Sequence, residues 1–420
     1  MAGSLNRLRV LDLTRVLAGP WCTQMLADLG ADVIKIERPQ VGDDTRHWGP
    51  PWIADAQAQA TGDAAYFSSA NRNKRSVAID LSSVQGQALV RALARESDVL
   101  VENFKVGDLA RYGLSYEDLR QENPRLVYCS VTGYGQTGPY ADRPGYDFIF
   151  QGEGGLMSIN GLPDDVPGGG PVKTAIAITD VLAGLNATIG ILAALESRHA
   201  TGQGQHVDVA LLDTIVHFGA NQIASYFATG EIPRRWGNQH PNLTPYQTFA
   251  TSDGHLLVGC GNDGQFRKLC AVLQCPELAA DARFVAMSGR NTHRDALAQA
   301  LGAVFATQTQ AHWLQVLEGA GVPFGPINDY AQVFSHPQVV HRELRQDMVH
   351  ARGGVVGTVK NPIRLSQTPV EYRYAPPLRG EHTQTILADV LGLDAAAIAA
   401  LVGAGAVEMN PATNPRKESA

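Results

Sequence analysis

Short apolar runs alternate with helical periodicities through the first third of the chain, and this alternation limits the fold more than any other feature. Arg9 to Leu13 reads as a strand, followed by the turn Leu17-Ala18-Gly19-Pro20. Trp21, Met25, Leu26 and Leu29 then recur at helical spacing, Gly30 stops the helix, and Asp32 to Ile36 reads as the next strand. The pattern returns with a strand at Ser76 to Ile79, a helix face of Val84, Ala88, Leu89 and Leu93, and strands at Val99 to Val101 and Leu126 to Val131. It predicts the α/β class, a mostly parallel sheet with helices packed on it. A Gly-rich passage, Gly133 to Pro139, leaves the last of these strands, where ligands of open parallel sheets bind. A small-residue-rich helix is expected from Ile176 to about Arg198.

Past Phe227 the texture changes to a hairpin around Asp253-Gly254 and amphipathic helices, which predicts a smaller α+β domain. With 420 residues the chain exceeds the roughly 250–300 at which one core stops growing. The expected division is 1–226 for the first part of a large domain, 227–329 for the small one, 330–409 for a return, and 410–420 for a flexible tail. A formal net charge of −7 argues against nucleic acid as a partner, so an anionic ligand would need a local cluster of cations. The five cysteines are odd in number and lack C-x-x-C, which favours buried reduced thiols over a metal site. No signal peptide is recognisable, and no apolar stretch is expected to reach the roughly 18 residues of a membrane span. A soluble, cytoplasmic protein is the expectation.

Chemical motifs are informative mainly by absence. G-x-G-x-x-G, H-E-x-x-H and G-x-S-x-G are all missing, against nicotinamide binding, zinc proteolysis and the serine-hydrolase elbow respectively. Two positive features remain. Arg38 and the run Arg72-Asn73-Lys74-Arg75 form either a solvated face or an anion site. Asp180 stands at the start of the apolar helix, as a capping residue or as a carboxylate stabilised by free N–H groups.

Eight strings in order give these residues a context: VLDLTRVLAGPWCTQMLADLGADVIKIERP from Val10, YFSSANRNKRSVAIDL from Tyr66, VENF from Val101, VTGYGQTGPY from Val131, RPGYDFIFQGEGGLMSI from Arg143, AITDVLAGL from Ala177, RRWGNQHPNLTPYQTF from Arg234 and GVPFGPIND from Gly321. In this combination the chain resembles the family III CoA-transferases, from about Leu8 to Leu401. The resemblance implies a Rossmann-like large domain, a small domain and an interlocked homodimer. It implies that Asp180 is the catalytic nucleophile, forming an acyl anhydride and then an aspartyl-CoA thioester. It further implies CoA contacts at Val16, Arg38, Ile79, Asn103, Phe104, Arg111, Gly133 and Tyr134, and places Trp48 near the acyl pocket. CoA esters and small carboxylic acids are the implied substrates, with no metal or other cofactor. Oxyanion donors are open between the glycines Gly152, Gly154 and Gly155 and the start of the Asp180 helix.

Details such as GDDTRHWGPPW from Gly42 resemble the branch that exchanges CoA between succinyl-CoA and glutarate. Leu17 replaces an amide found in the formyl-CoA branch, and the only triple glycine, Gly168-Gly169-Gly170, lies before Asp180 and not in the small domain, so formate and oxalate are disfavoured. Thr132 replaces a lysine of that branch, removing one expected cation. A dicarboxylate would need a cation, for which Arg46, Arg143, Arg234 and Arg235 are candidates. The alternatives are a 2-methylacyl-CoA racemase of the same fold and a non-catalytic CoA-binding protein. Such racemases carry a basic histidine where this chain has Tyr146, and a phenol is a poor base at neutral pH.

Overall fold

The computed structural model describes residues 3–410, so all of the expected tail except Asn410 lies outside the described residues. Contacts divide the chain into two units. Among the described residues the first comprises 3–156, 174–223 and 342–410, and the second 157–173 and 224–341. The sequence expectation differed in returning at 330 and in leaving 157–173 with the large domain. That segment is tied to the second unit by Arg235, whose guanidinium donates to Leu162 O at 3.1 Å and Ser158 O at 3.2 Å, and by Gly237 N–H on Gly161 O at 3.1 Å.

The first unit is built on seven strands: β1 Arg9–Asp12, β2 Asp32–Glu37, β3 Lys74–Ile79, β4 Val99–Glu102, β5 Val127–Thr132, β6 His206–Ala210 and β7 Val407–Glu408. Their order is β7-β3-β2-β1-β4-β5-β6, with every pair parallel except β7 on β3. The six parallel strands thus run in the Rossmann order, 3-2-1-4-5-6. Strand positions alternate between two cores. Val10, Val33, Val99, Val127 and Cys129 face one side, and Leu11, Ile34, Leu100 and Tyr128 the other. Each such aliphatic side chain contributes about 1.5–3 kcal/mol on burial. The edge strand β7, only two residues long, had no visible signal in the sequence.

Five helices matter to the site: α1 Ala18–Asp28, α2 Val84–Arg95, α3 Asp147–Glu153, α4 Ile178–Thr201 and α5 Leu211–Phe218. Helix α2 starts at Ser83, whose hydroxyl accepts Gly86 N–H at 2.9 Å, and buries Leu89, Val90 and Leu93. Helices α1 and α4 share the first core through Ala18, Cys22, Ala183, Ala187 and Ile191. They meet closely because Gly184 has no side chain: a Cβ there would lie 2.6 Å from Ala18 O. At 24 residues, α4 is long and apolar enough to cross a membrane by length and composition, contrary to the sequence expectation. Alanines, glycines and threonines interrupt its leucines and isoleucines, and Ala183, Ala187 and Ala194 pack it into the core beside Ile191 and Leu195.

In the second unit, strands Tyr246–Ala250, His255–Gly259 and Phe324–Pro326 form an antiparallel sheet. Helices including Asp263–Val272 and Arg294–Phe305 cover a core of Leu256, Phe266, Leu269, Leu301, Phe305 and Trp313. All five cysteines are buried and unbridged.

Candidate active site

The strand order turns at β1, so the loops that follow β1 and β4 leave in opposite directions and open a crevice at the carboxyl ends of the strands. Two cavities lie along it. One, of about 330 Å3, is bounded by Leu13, Arg38, Ile79 and Tyr112. The other, of about 220 Å3, is bounded by Val16, Asn103, Gly133, Arg143, Tyr146 and Asp180. Arg15 and Phe104 border both cavities, which are therefore neighbouring stretches of one groove.

Asp180 occupies the first turn of α4 and is only 8% exposed. The N-cap of that helix, Ala177, offers no side-chain acceptor. Asp147, from the start of α3, serves instead: its Oδ1 accepts Thr179 N–H at 2.7 Å, while its Oδ2 accepts from Gln151 at 2.6 Å. Among the described residues the Asp180 carboxylate makes no hydrogen bond and no ion pair. Burial, and then the charge of Asp147, push its pKa up from 3.8 to about 7. A desolvated carboxylate on a cavity wall, unengaged and half-ionised near neutrality, is what an acyl-accepting nucleophile requires. Tyr66 lies within reach of the same field: burial, then the charges of Asp180, Asp147 and Asp43, raise its pKa, so its hydroxyl stays a donor.

Along and beneath the floor of the groove the charges are paired. Lys35 and Asp43 meet at 2.9 Å and Lys74 and Asp12 at 3.1 Å, all four side chains fully buried. Asp12 also accepts from Thr14 N at 2.9 Å and Thr23 Oγ1 at 2.7 Å. Asp43 accepts the Val16 N–H at 3.2 Å, holding a valine at φ 71°, a conformation that β-branched residues avoid. Strain of this kind, worth roughly 1–3 kcal/mol, persists only where surrounding contacts over-determine it.

The structure brings Val16, Asn103, Phe104 and Gly133 to the cavity of Asp180, and Arg38, Ile79 and Phe104 to the adjoining one. Arg111 and Tyr134 line neither. Arg111 is exposed and pairs with Asp108 at 2.6 Å, and the Tyr134 hydroxyl donates to Glu153 at 2.9 Å. Trp48 also lines neither, but packs edge-on against Tyr66 with ring centroids 5.2 Å apart. The basic run Arg72 to Arg75 is no anion site. Arg72 is spent on Asp28 at 2.5 Å, Lys74 on Asp12, and Arg75 on Asp32 at 2.5 Å. Arg46 is likewise buried, held by Glu37 at 2.7 Å and Asp63 at 2.8 Å. Arg143 lines the groove, its guanidinium 3.6 Å from the Tyr140 ring centre. Arg234 and Arg235 belong to the second unit, where Arg234 lies over Trp236 and Arg235 pairs with Asp164. Gly152, Gly154 and Gly155 border neither cavity, whereas the start of α4 borders one.

Asp147 and Tyr66 were not singled out in the sequence. Both sit inside quoted strings, RPGYD and YFSSANRNKRS, yet their bearing on Asp180 is a matter of three-dimensional proximity.

A Rossmann-ordered sheet with an unengaged carboxylate beside its crevice defines an α/β protein with a ligand site at the carboxyl ends of its strands. The chain belongs to CoA-transferase family III, whose model matches residues 5–383. It is 47% identical over 386 residues to the succinate–glutarate CoA-transferase of Agrobacterium fabrum, covering 92% of this chain and 95% of that one. It is 41% identical over 406 residues to the human succinyl-CoA:glutarate CoA-transferase, covering 97% and 90%. Among solved structures, a CaiB/BaiF family protein from Brucella suis matches with a TM-score of 0.82 at 45% identity, over 93% of this chain and all of that one.

Proposed function

We propose that this enzyme exchanges CoA between succinyl-CoA and glutarate, or a closely related dicarboxylate, through Asp180. The observation that carries the reading is the Asp180 carboxylate, unengaged and on the wall of the crevice, in a chain so similar to transferases named for those substrates. CoA lies along the two cavities with its thioester at Asp180. A carboxylate oxygen of Asp180 attacks the thioester carbonyl carbon and expels CoA thiolate, leaving a mixed anhydride. The thiolate attacks the aspartyl carbonyl, releases succinate and leaves an aspartyl-CoA thioester. The acceptor carboxylate attacks that carbonyl, expelling thiolate again. The thiolate then takes the acceptor's acyl group and frees Asp180. The Tyr66 hydroxyl and the Asp180 N–H are the donors we assign to the transient oxyanions, since the Ile178, Thr179 and Val181 N–H groups are already taken by Ile176 O, Asp147 Oδ1 and Ala177 O. Arg143, on the same wall, supplies a cation for the second carboxylate of a dicarboxylate.

The working form in this reading is a cytoplasmic homodimer. Large apolar side chains left exposed, Ile176 and Ile189 in the first unit and Phe227 and Ile232 in the second, support association with another copy. Five buried, unbridged cysteines suit a reducing compartment.

The test is incubation with succinyl-CoA and a panel of acids (glutarate, itaconate, mesaconate, citramalate, oxalate, formate), following new CoA esters by mass spectrometry. Glutaryl-CoA formed by the wild type and absent with Asp180→Ala is the expected result. Transfer to no acid, or equal transfer by the variant, overturns the reading.

A further inference from the structure

Glu102 closes β4 at the crevice and has no part in the exchange just described. It is buried, and no lysine or arginine among the described residues pairs with it. Burial pushes its pKa up to about 7, against the pull of the Ser130 side chain and the Phe104 N–H. An uncompensated buried carboxylate costs several kcal/mol, so its placement calls for a counterpart in geometry.

Two contacts supply one. Glu102 Oε2 accepts the Phe104 N–H at 2.7 Å, pinning the loop after β4 back onto the strand it leaves. The intervening residue, Asn103, bridges the crevice: its Oδ1 accepts from Arg15 N at 3.0 Å, and its Nδ2 donates to Arg15 O at 2.7 Å. The loop is therefore fastened to its own strand and, one residue earlier, to the loop after β1. The residues so fixed, Arg15 and Phe104, are the two that border both cavities. Behind Glu102, Ser130 meets His206 Nε2 at 2.9 Å. That imidazole is stacked on Tyr116 at 5.1 Å and set edge-on to Tyr128 at 5.4 Å, so the serine is itself held in place.

We propose that Glu102 is a positioning residue which, with Asn103, holds the loop after β4 in the shape that receives the CoA moiety, acting on it through Phe104 and Arg15. The inference rests on the reading of the groove as the CoA site. Calorimetric titration of the full-length protein with free CoA separates the two. A wild type that binds no CoA overturns the groove reading and this inference with it. Where the wild type binds, the inference stands or falls on three variants measured well below their Tm values.

Glu102→Ala is expected to weaken CoA binding at least about tenfold, or about 1.4 kcal/mol. Glu102→Gln keeps an acceptor for the Phe104 N–H and is expected to stay within about threefold of wild type. Ser130→Ala is expected to fall between the two. In turnover the KM for the CoA ester should follow the dissociation constant, while kcat falls less than about threefold. A merely structural glutamate would lower Tm without this split and without rescue by glutamine. Wild-type affinity in Glu102→Ala, or equal loss in the alanine and glutamine variants, overturns the proposal. Should Glu102→Ala fail to fold, wild-type affinity in Ser130→Ala overturns it instead.

Discussion

Asp12, beneath the crevice, and Glu37, on the wall of its 330 Å3 cavity, are buried and yet held at a pKa of about 2, whereas Asp180, on the wall of the other cavity, is pushed up to about 7. Burial alone would raise all three. Around Asp12 the charges of Lys74 and Lys35 and the hydroxyls of Thr14 and Thr23 outweigh it, and around Glu37 the bidentate guanidinium of Arg46 does. Asp180 has no such partner, and the one charge that adds to its burial is that of another carboxylate, Asp147. Depth therefore does not distinguish a structural carboxylate from the one proposed to react. The distinction lies in whether the hydrogen-bonding capacity of the group is already committed within the fold.

Replacing each kind of carboxylate by its amide should produce opposite outcomes. Asp180→Asn is expected to lower transfer by at least about a thousandfold, because the amide is no nucleophile, with no loss of Tm. Asp12→Asn is expected to destabilise the fold by about 3–5 kcal/mol, since it leaves the Lys74 ammonium buried without its counter-charge. Urea unfolding of both variants beside a CoA-transfer assay checks the contrast. A destabilised Asp180→Asn, or an Asp12→Asn as stable as wild type, would break it.

The two regions should also respond to pH with opposite sign. The lowered pKa of Asp12 contributes stability that is present above its unfolded value of about 3.8 and lost as pH falls through about 2. Asp180 has its pKa raised instead. Between about 3.8 and about 7 the unfolded chain gives up this proton while the folded one keeps it, so stability falls with rising pH across that window and is level above it. Relative to Asp180→Asn, the wild type should lose on the order of 1–4 kcal/mol between pH 4 and pH 8. In the proposed mechanism kcat/KM should rise through pH 7 over the same upper range as Asp180 ionises. A stability difference that stays constant with pH would mean that Asp180 is not desolvated.

How much of this was legible in the chain follows from what each feature depends on. Strand β1, helix α1 and strand β2 showed in the periodicity because one contiguous stretch had to satisfy two faces of a sheet. The order of the strands did not, since it depends on which of several equivalent apolar runs pair. Strand β7, at Val407–Glu408, is too short to carry a pattern. Asp180 was visible at the start of an apolar helix, but only the resemblance favoured a catalytic reading over a cap, because an acidic residue in a first helical turn is common for reasons of capping. The basic run at Arg72 read as a solvated face or an anion site, and neither holds, because its partners, Asp28, Asp12 and Asp32, lie far back in the sequence. Helix α4 read as an apolar helix but not as a long span, because small and polar residues interrupt its eight valines, leucines and isoleucines.

The smallest expected effect is at Val16, where the two regions touch. Its N–H is held by Asp43, part of the paired network, while the residue itself borders the cavity of Asp180 in a left-handed conformation. Glycine takes that conformation freely, so Val16→Gly releases strain of roughly 1–3 kcal/mol, set against roughly 0.5–1 kcal/mol of extra chain entropy lost on folding. The net expectation is a gain of about 1 kcal/mol in stability, read as a higher Tm. The loop after β1 would at the same time be less fixed, and CoA affinity should fall by a few fold, about 0.5–1 kcal/mol. A variant both more stable and weaker in binding would show that the buried ion pairs hold the backbone in a shape useful only to the site. A variant less stable than wild type would show instead that valine's packing outweighs its strain, and the paired network would then have no role beyond the fold.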